Sequence, residues 1–195
     1  MNRGNEYFVL FLVALLVLAV GCDSLKNAAS KTFDLDIPIP AQSLNSSMLG
    51  NISSDKPIYL CLPTMDLTDI LTAAGFPPAS LDLMTAVEIK EIQYKVSGNQ
   101  NGKEGVISLW NSPGAPGISQ QEPATLMICE TENIPPGTDV DWTDMILDDN
   151  GVQDLQNSII NYSNPFAVCI GWTGGANVNM TVEFDIKMEV TASVL

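Results

Sequence analysis

The stretch Asn177–Val190 reads NVNMTVEFDIKMEV. Its even positions, Val178, Met180, Val182, Phe184, Ile186, Met188 and Val190, are all apolar; its odd positions, Asn177, Asn179, Thr181, Glu183, Asp185, Lys187 and Glu189, are all polar. A period of two sustained this long describes an extended strand with one dry side and one wet side. The dry side must be buried against a second layer, so the chain has to build at least two packed layers around it. Straight, such a strand would run about 46 Å, far longer than ordinary strands. It is expected to bend, or to span most of the domain as a central strand, with Phe184 in the core.

Other segments repeat the pattern. Thr32–Pro40 (TFDLDIPIP) places Phe33, Leu35, Ile37 and Ile39 on one face, and Pro38 and Pro40 mark a sheet edge or a strand exit. Ile58–Pro63 (IYLCLP) reads as a second strand. Ala86–Val96 alternates in two phases, Val87 and Ile89 against Ile92, Tyr94 and Val96. The switch at Lys90 and Glu91 calls for a β-bulge or a strand that passes between sheets. Val106–Trp110 is expected to return as its hairpin partner. Asn111–Pro123 (NSPGAPGISQQEP) reads as a loop, and Ala124–Cys129 and Pro165–Trp172 as strands.

Helical spacing is confined to two regions. Thr64–Gly75 carries Leu67, Ile70, Leu71 and Ala74, with Thr64 able to cap its start and Gly75 its end. Asp141–Asn161 carries one stripe at Trp142, Met145 and Ile146 and another at Val152, Leu155 and Ile159. About seven strands with two or three short helices predict a mainly β domain: an antiparallel β-sandwich, or alternatively a partly closed barrel.

The N-terminus has a different character. Val9–Val20 (VLFLVALLVLAV) is an unbroken apolar run, and Tyr7–Gly21 is about 22 Å long as a helix, too short for a bilayer core of roughly 20 residues. That length suits the apolar region of a signal peptide. Leu18-Ala19-Val20-Gly21-Cys22 resembles the lipobox of bacterial lipoproteins, in which a small residue precedes a cysteine that is lipidated and then freed by signal peptidase II. The resemblance covers about 22 residues. It implies a removed signal peptide at 1–21, a lipidated Cys22 with a short polar tether at 22–31, and one domain at 32–195. Two or three acyl chains on Cys22 would suffice for stable anchoring in the bacterial cell envelope, on the periplasmic face or the cell surface.

With 23 Asp and Glu against 8 Lys and Arg, the net charge is −15. Such a chain is repelled by nucleic-acid phosphates and anionic headgroups, so nucleic acid is not expected as a partner, and acyl chains rather than charge would hold the membrane. Cys61, Cys129 and Cys169 all lie in apolar contexts. An oxidising periplasm permits one disulfide among them, with three pairings open, and buried free thiols are the alternative.

The chain has no histidine, which excludes Ser–His–Asp and Cys–His machinery and nearly every common zinc site. Asp139, Asp141, Asp144, Asp148 and Asp149 form an acidic run whose oxygens suit calcium, although the spacing is not that of an EF-hand. The plainer reading makes Asp141 a helix cap, Asp144 a first-turn residue and Asp149 part of a turn. Trp172, in GWTGG, could present an indole to a sugar ring, against the ordinary fate of a core anchor. Carboxylate pairs drawn from Glu122, Glu130, Glu132 and the aspartates could serve hydrolysis. The sequence thus points first to a non-catalytic lipoprotein that acts as a structural or protein-binding module with an envelope protein or glycan as partner. A carbohydrate- or calcium-dependent binding module comes second, and a carboxylate-dependent hydrolase third. No cofactor other than calcium is suggested.

Overall fold

The computed structural model describes residues 30–45, 56–112, 116–162, 167–175 and 178–193. The signal segment, Cys22 and most of the tether lie outside them. The long alternating stretch is strand β10 (Asn179–Ser193), in which every second residue from Met180 to Ala192 is buried. It is central, as expected: β1 (Ser30–Asn45) pairs antiparallel on one side and β3 (Met84–Ser97) on the other, with β7 (Val140–Asp144) beyond β3.

β3 shows how the two-phase sequence is accommodated. Ile89 pairs with Met188 and Glu91 with Lys187, which leaves Lys90 as the extra residue of a bulge. The inserted residue shifts the alternation by one place, so Val87 and Ile89 before it and Ile92, Tyr94 and Val96 after it all reach the core. Beside the bulge, the backbone N–H of Ile89 donates to Gln156 Oε1 (3.1 Å) from helix α2 (Asp149–Ile160).

The second sheet holds, in spatial order, β5 (Gly117–Ser119), β2 (Ile58–Cys61), β9 (Val168–Trp172), β4 (Ile107–Asn111), β6 (Met127–Glu130) and β8 (Ile146–Leu147). All pairings in both sheets are antiparallel. Setting aside the very short β5 and β8, eight strands remain. The first sheet takes the first, eighth, third and sixth of them, and the second sheet takes the second, seventh, fourth and fifth. This alternation between two sheets is the jelly-roll form of the β-sandwich. Neither sheet closes on itself, so the barrel alternative is set aside.

Several local expectations are corrected. β4 is not the hairpin partner of β3 but lies in the opposite sheet, between β9 and β6. The connecting bend turns a corner held by buried asparagines: Asn99 Nδ2 donates to the carbonyls of Thr138 (2.8 Å) and Pro135 (3.3 Å), and Asn179 N–H donates to Asn101 Oδ1 (2.7 Å). A long turn-rich connection between strands therefore does not fix which sheet receives the second one. The glycine- and proline-rich stretch after Asn111 contains β5, a short strand that pairs with the outer edge of β2.

Asp141–Ile146 is not helical. It forms β7 and then β8, because the open edge of β3 offers hydrogen-bond partners at Gln93, Tyr94 and Val96 that outweigh a three-residue apolar stripe. Helix α2 begins only after Asp148, whose carboxylate caps it by accepting from Gly151 N–H (2.9 Å). Helix α1 (Leu67–Ala73) starts later than expected and is capped by Asp66 rather than Thr64. It ends at Gly75 as expected, with Gly75 N–H donating to Thr72 and Phe76 N–H to Leu71 in a Schellman closure. β1 runs past its prolines. It is an edge strand, where a residue lacking an N–H is tolerated, and Pro40 falls in the register break between Ile39 and Gln42. Its pairing also begins at Ser30, inside the stretch read as tether.

Candidate functional site

The structure gives each aspartate of the acidic run a separate structural task. Asp139 Oδ1 accepts from the backbone N–H of Asn99 (2.9 Å) and steadies the asparagine corner. Asp141, on β7, accepts from the adjacent Trp142 N–H instead of capping a helix. Asp144, also on β7 and not in a helical first turn, accepts from Gln93 Nε2 (2.9 Å). That bond, with the nearby positive charge of Lys187, holds its carboxyl below the usual range. Asp148 caps α2 and Asp149 lies in its first turn. Among the described residues, no three His, Cys, Asp or Glu side chains are placed to hold a metal ion together.

Trp172 is corrected outright. Its side chain is 1% exposed and belongs to the main core. The indole is clasped between two glycines: a Cβ on Gly105 would lie 2.6 Å from the ring, and one on Gly174 would lie 2.2 Å from it. No sugar reaches it. The exposed indole is that of Trp142, at 42%, with Lys95 Nζ 5.9 Å from its ring centroid. Sequence reasoning placed Trp142 on an apolar helical stripe and so missed it; the polar neighbours in VDWTD were the available sign of an outward-facing strand position.

Of the three cysteines, Cys61 and Cys169 form a disulfide between directly paired positions of β2 and β9. Cys129 is free and fully buried. Its thiol donates to Met145 Sδ (3.4 Å), and burial pushes its pKa far above that of an ordinary thiol, which removes the reactive thiolate. Glu122, Glu130 and Glu132 line neither of two cavities that flank helix α1.

Those cavities are neighbours. The first, about 380 Å³, opens between edge strand β1 and helix α1. Its walls are Ile37 and Ile39 of β1, Ile186 and Met188 of β10, and Leu155 and Ile159 of α2, with Asp66 and Asp69 at the α1 side. Among the described residues β1 is an edge strand with no further strand beside it, and the cavity opens there beside α1. The second, about 780 Å³, is a wider trough that shares Ile37, Pro38 and Ile70 with the first and carries Asp34, Asp36, Asp185 and Trp142. Burial, and then the nearby charge of Asp36, raise the pKa of the Asp185 carboxyl above the ordinary carboxylate value. Among the described residues no lysine or arginine lines either space, although Lys187, the cross-strand partner of Asp36, acts on Asp36 and Asp185 from beside the trough while paired with Glu91. The pair can therefore take up apolar groups in one part and positive charge in the other.

No family model and no curated protein matches this chain. Among solved structures it is similar to the decameric BFDV capsid protein, at 11% identity and a TM-score of 0.38, over 83% of this chain and 98% of that one. It is also similar to Desmodium yellow mottle tymovirus (9% identity, TM-score 0.37, over 85% of this chain and 89% of that one). Tobacco necrosis virus gives 15% identity and a TM-score of 0.30, over 85% and 97%. The jelly-roll assignment rests on the strand order itself and not on these likenesses.

Proposed function

We propose that the chain is an exported bacterial envelope protein, held at a membrane by acyl chains on Cys22, whose jelly-roll domain acts as a non-catalytic binding module. The observation that carries this reading is the sequence Leu18–Cys22 at the end of an apolar run too short to span a bilayer. The Cys61–Cys169 disulfide supports it, since such bonds form and persist in oxidising compartments outside the cytosol. The total lack of histidine, together with the structural duties of the aspartates at 139–149, supports a binding role over catalysis. Mass spectrometry of the protein recovered from bacterial membranes tests the anchor. The expected product begins at Cys22 and carries diacylglycerol. Retention of Met1, or an unmodified Cys22 thiol, overturns it.

A further inference from the structure

From the two neighbouring cavities, which share Ile37, Pro38 and Ile70 as walls, we infer a binding site for a cationic amphiphile, an alkyl chain carrying an ammonium head, with the chain between β1 and α1 and the head in the Asp34–Asp36–Asp185 trough. The inference does not depend on lipid anchoring. Its first support is shape: about 380 Å³ of apolar space falls within the range of small-molecule pockets and opens to solvent at a defined edge. Its walls are aliphatic side chains from two strands and a helix, with nothing in them to hydrogen-bond a polar group deep inside.

Charge complementarity decides the head. Among the described residues, Asp34, Asp36 and Asp185 make no hydrogen bond or ion pair, although other carboxylates on the same sheet find lysines: Glu91 with Lys187 at 3.1 Å, and Glu189 with Lys90 at 3.0 Å. Asp66 and Asp69 add negative potential at the mouth of the chamber. A fatty acid or phospholipid headgroup would meet five carboxylates, while the two nearby bases, Lys187 opposite Asp36 and Lys95 beside Trp142, are already paired with Glu91 and Glu183. An ammonium would offset their mutual repulsion. Trp142 contributes an aromatic face to the same trough, and such a face attracts cations as well as covering methylenes. Lys95 already stands near that ring.

The test uses the full chain in whichever cell fraction holds it, with three photoreactive probes of equal alkyl length, ending in an amine, an alcohol or a carboxylate. The expected result is labelling of peptides from Met65–Ile70 and Leu155–Ile159, with the amine exceeding the carboxylate by about tenfold. Lengthening the amine probe should raise apparent affinity by about fourfold per methylene until the chamber is full. Changing Asp34, Asp36 and Asp185 together to Asn should level the amine with the alcohol, and membrane partitioning of the probes is unchanged by that variant. Ile70→Trp, at a half-exposed position on the mouth, should reduce labelling by all three probes while leaving the thermal transition in place. Equal labelling by amine and carboxylate, an amine preference that survives the triple variant, or labelled peptides elsewhere in the chain would each overturn the proposal. The acylation state of Cys22 is read separately, so failure here and failure of the anchor are distinguishable.

Discussion

The two sheets of the sandwich solve the same packing problem in different ways. The four-stranded sheet keeps one face wet. Along β10 and most of β3, buried and half-exposed residues alternate, and the outer face carries ion pairs such as Lys187–Glu91 and Lys95–Glu183. The six-stranded sheet is dry on both faces at its centre: all five residues of β4 and all five of β9 are buried. Ile107, Leu109, Ile170 and Trp172 join the main core. On the other face Tyr59 and Trp110 meet edge to face at 6.0 Å beside Cys169, and Trp110 Nε1 donates to Ser108 Oγ (2.9 Å). One sheet therefore depends on solvent to define its outside, and the other on a small aromatic cluster and a covalent bond.

The largest expected effect lies on the dry side of the first sheet. Phe184 is fully buried in the middle of β10, and Phe184→Ala should cost about 3–5 kcal/mol in chemical denaturation. An unchanged denaturation midpoint would mean that β10 does not hold the core this way. Next comes the staple of the second sheet. Replacing Cys61 and Cys169 together with serine should cost about 2–4 kcal/mol, since the bridge closes a sequence separation of 108 residues. If that loss exceeded the Phe184→Ala loss, the second sheet rather than the shared core would limit stability.

The smallest effect sits on the wet face. The pKa of Asp185 is raised by burial and by Asp36, so the folded state binds its proton more tightly than the unfolded chain does. Stability from this group is present at acid pH and lost as pH rises from the unfolded value through the raised folded one. Asp185→Asn should therefore raise the melting temperature slightly at neutral pH and lose that advantage below the ordinary aspartate pKa. A variant less stable than the parent at pH 7 would show that the carboxylate has a stabilising partner.

The same contrast explains what the sequence disclosed. Where one face is wet, alternation survives in the residues themselves, so β1, β3 and β10 were legible, including the bulge at Lys90. β4 and β9 read as ISLWN and VCIGW, with no alternation to show how they face, because both sides are covered. Partner choice was less visible still: β4 was expected beside β3 and lies in the other sheet, because a long turn-rich connection leaves open which sheet receives the next strand. β7 was misread because Trp142, Met145 and Ile146 fit a helical stripe as well as they fit two short strands. The candidate site was largely hidden for a related reason. Its carboxylates, Asp34, Asp36 and Asp185, sit in two strands at opposite ends of the sequence and meet only through the pairing of β1 with β10.

The Cys61–Cys169 bond has one more consequence, for damage rather than folding. More than half of the chain lies between its two ends, and that span includes α1, the asparagine corner, β7 and α2. A single protease cut anywhere inside it produces two fragments that remain one molecule. The domain can thus be nicked at a surface turn without shedding either piece, and separation requires a reductant as well as a protease.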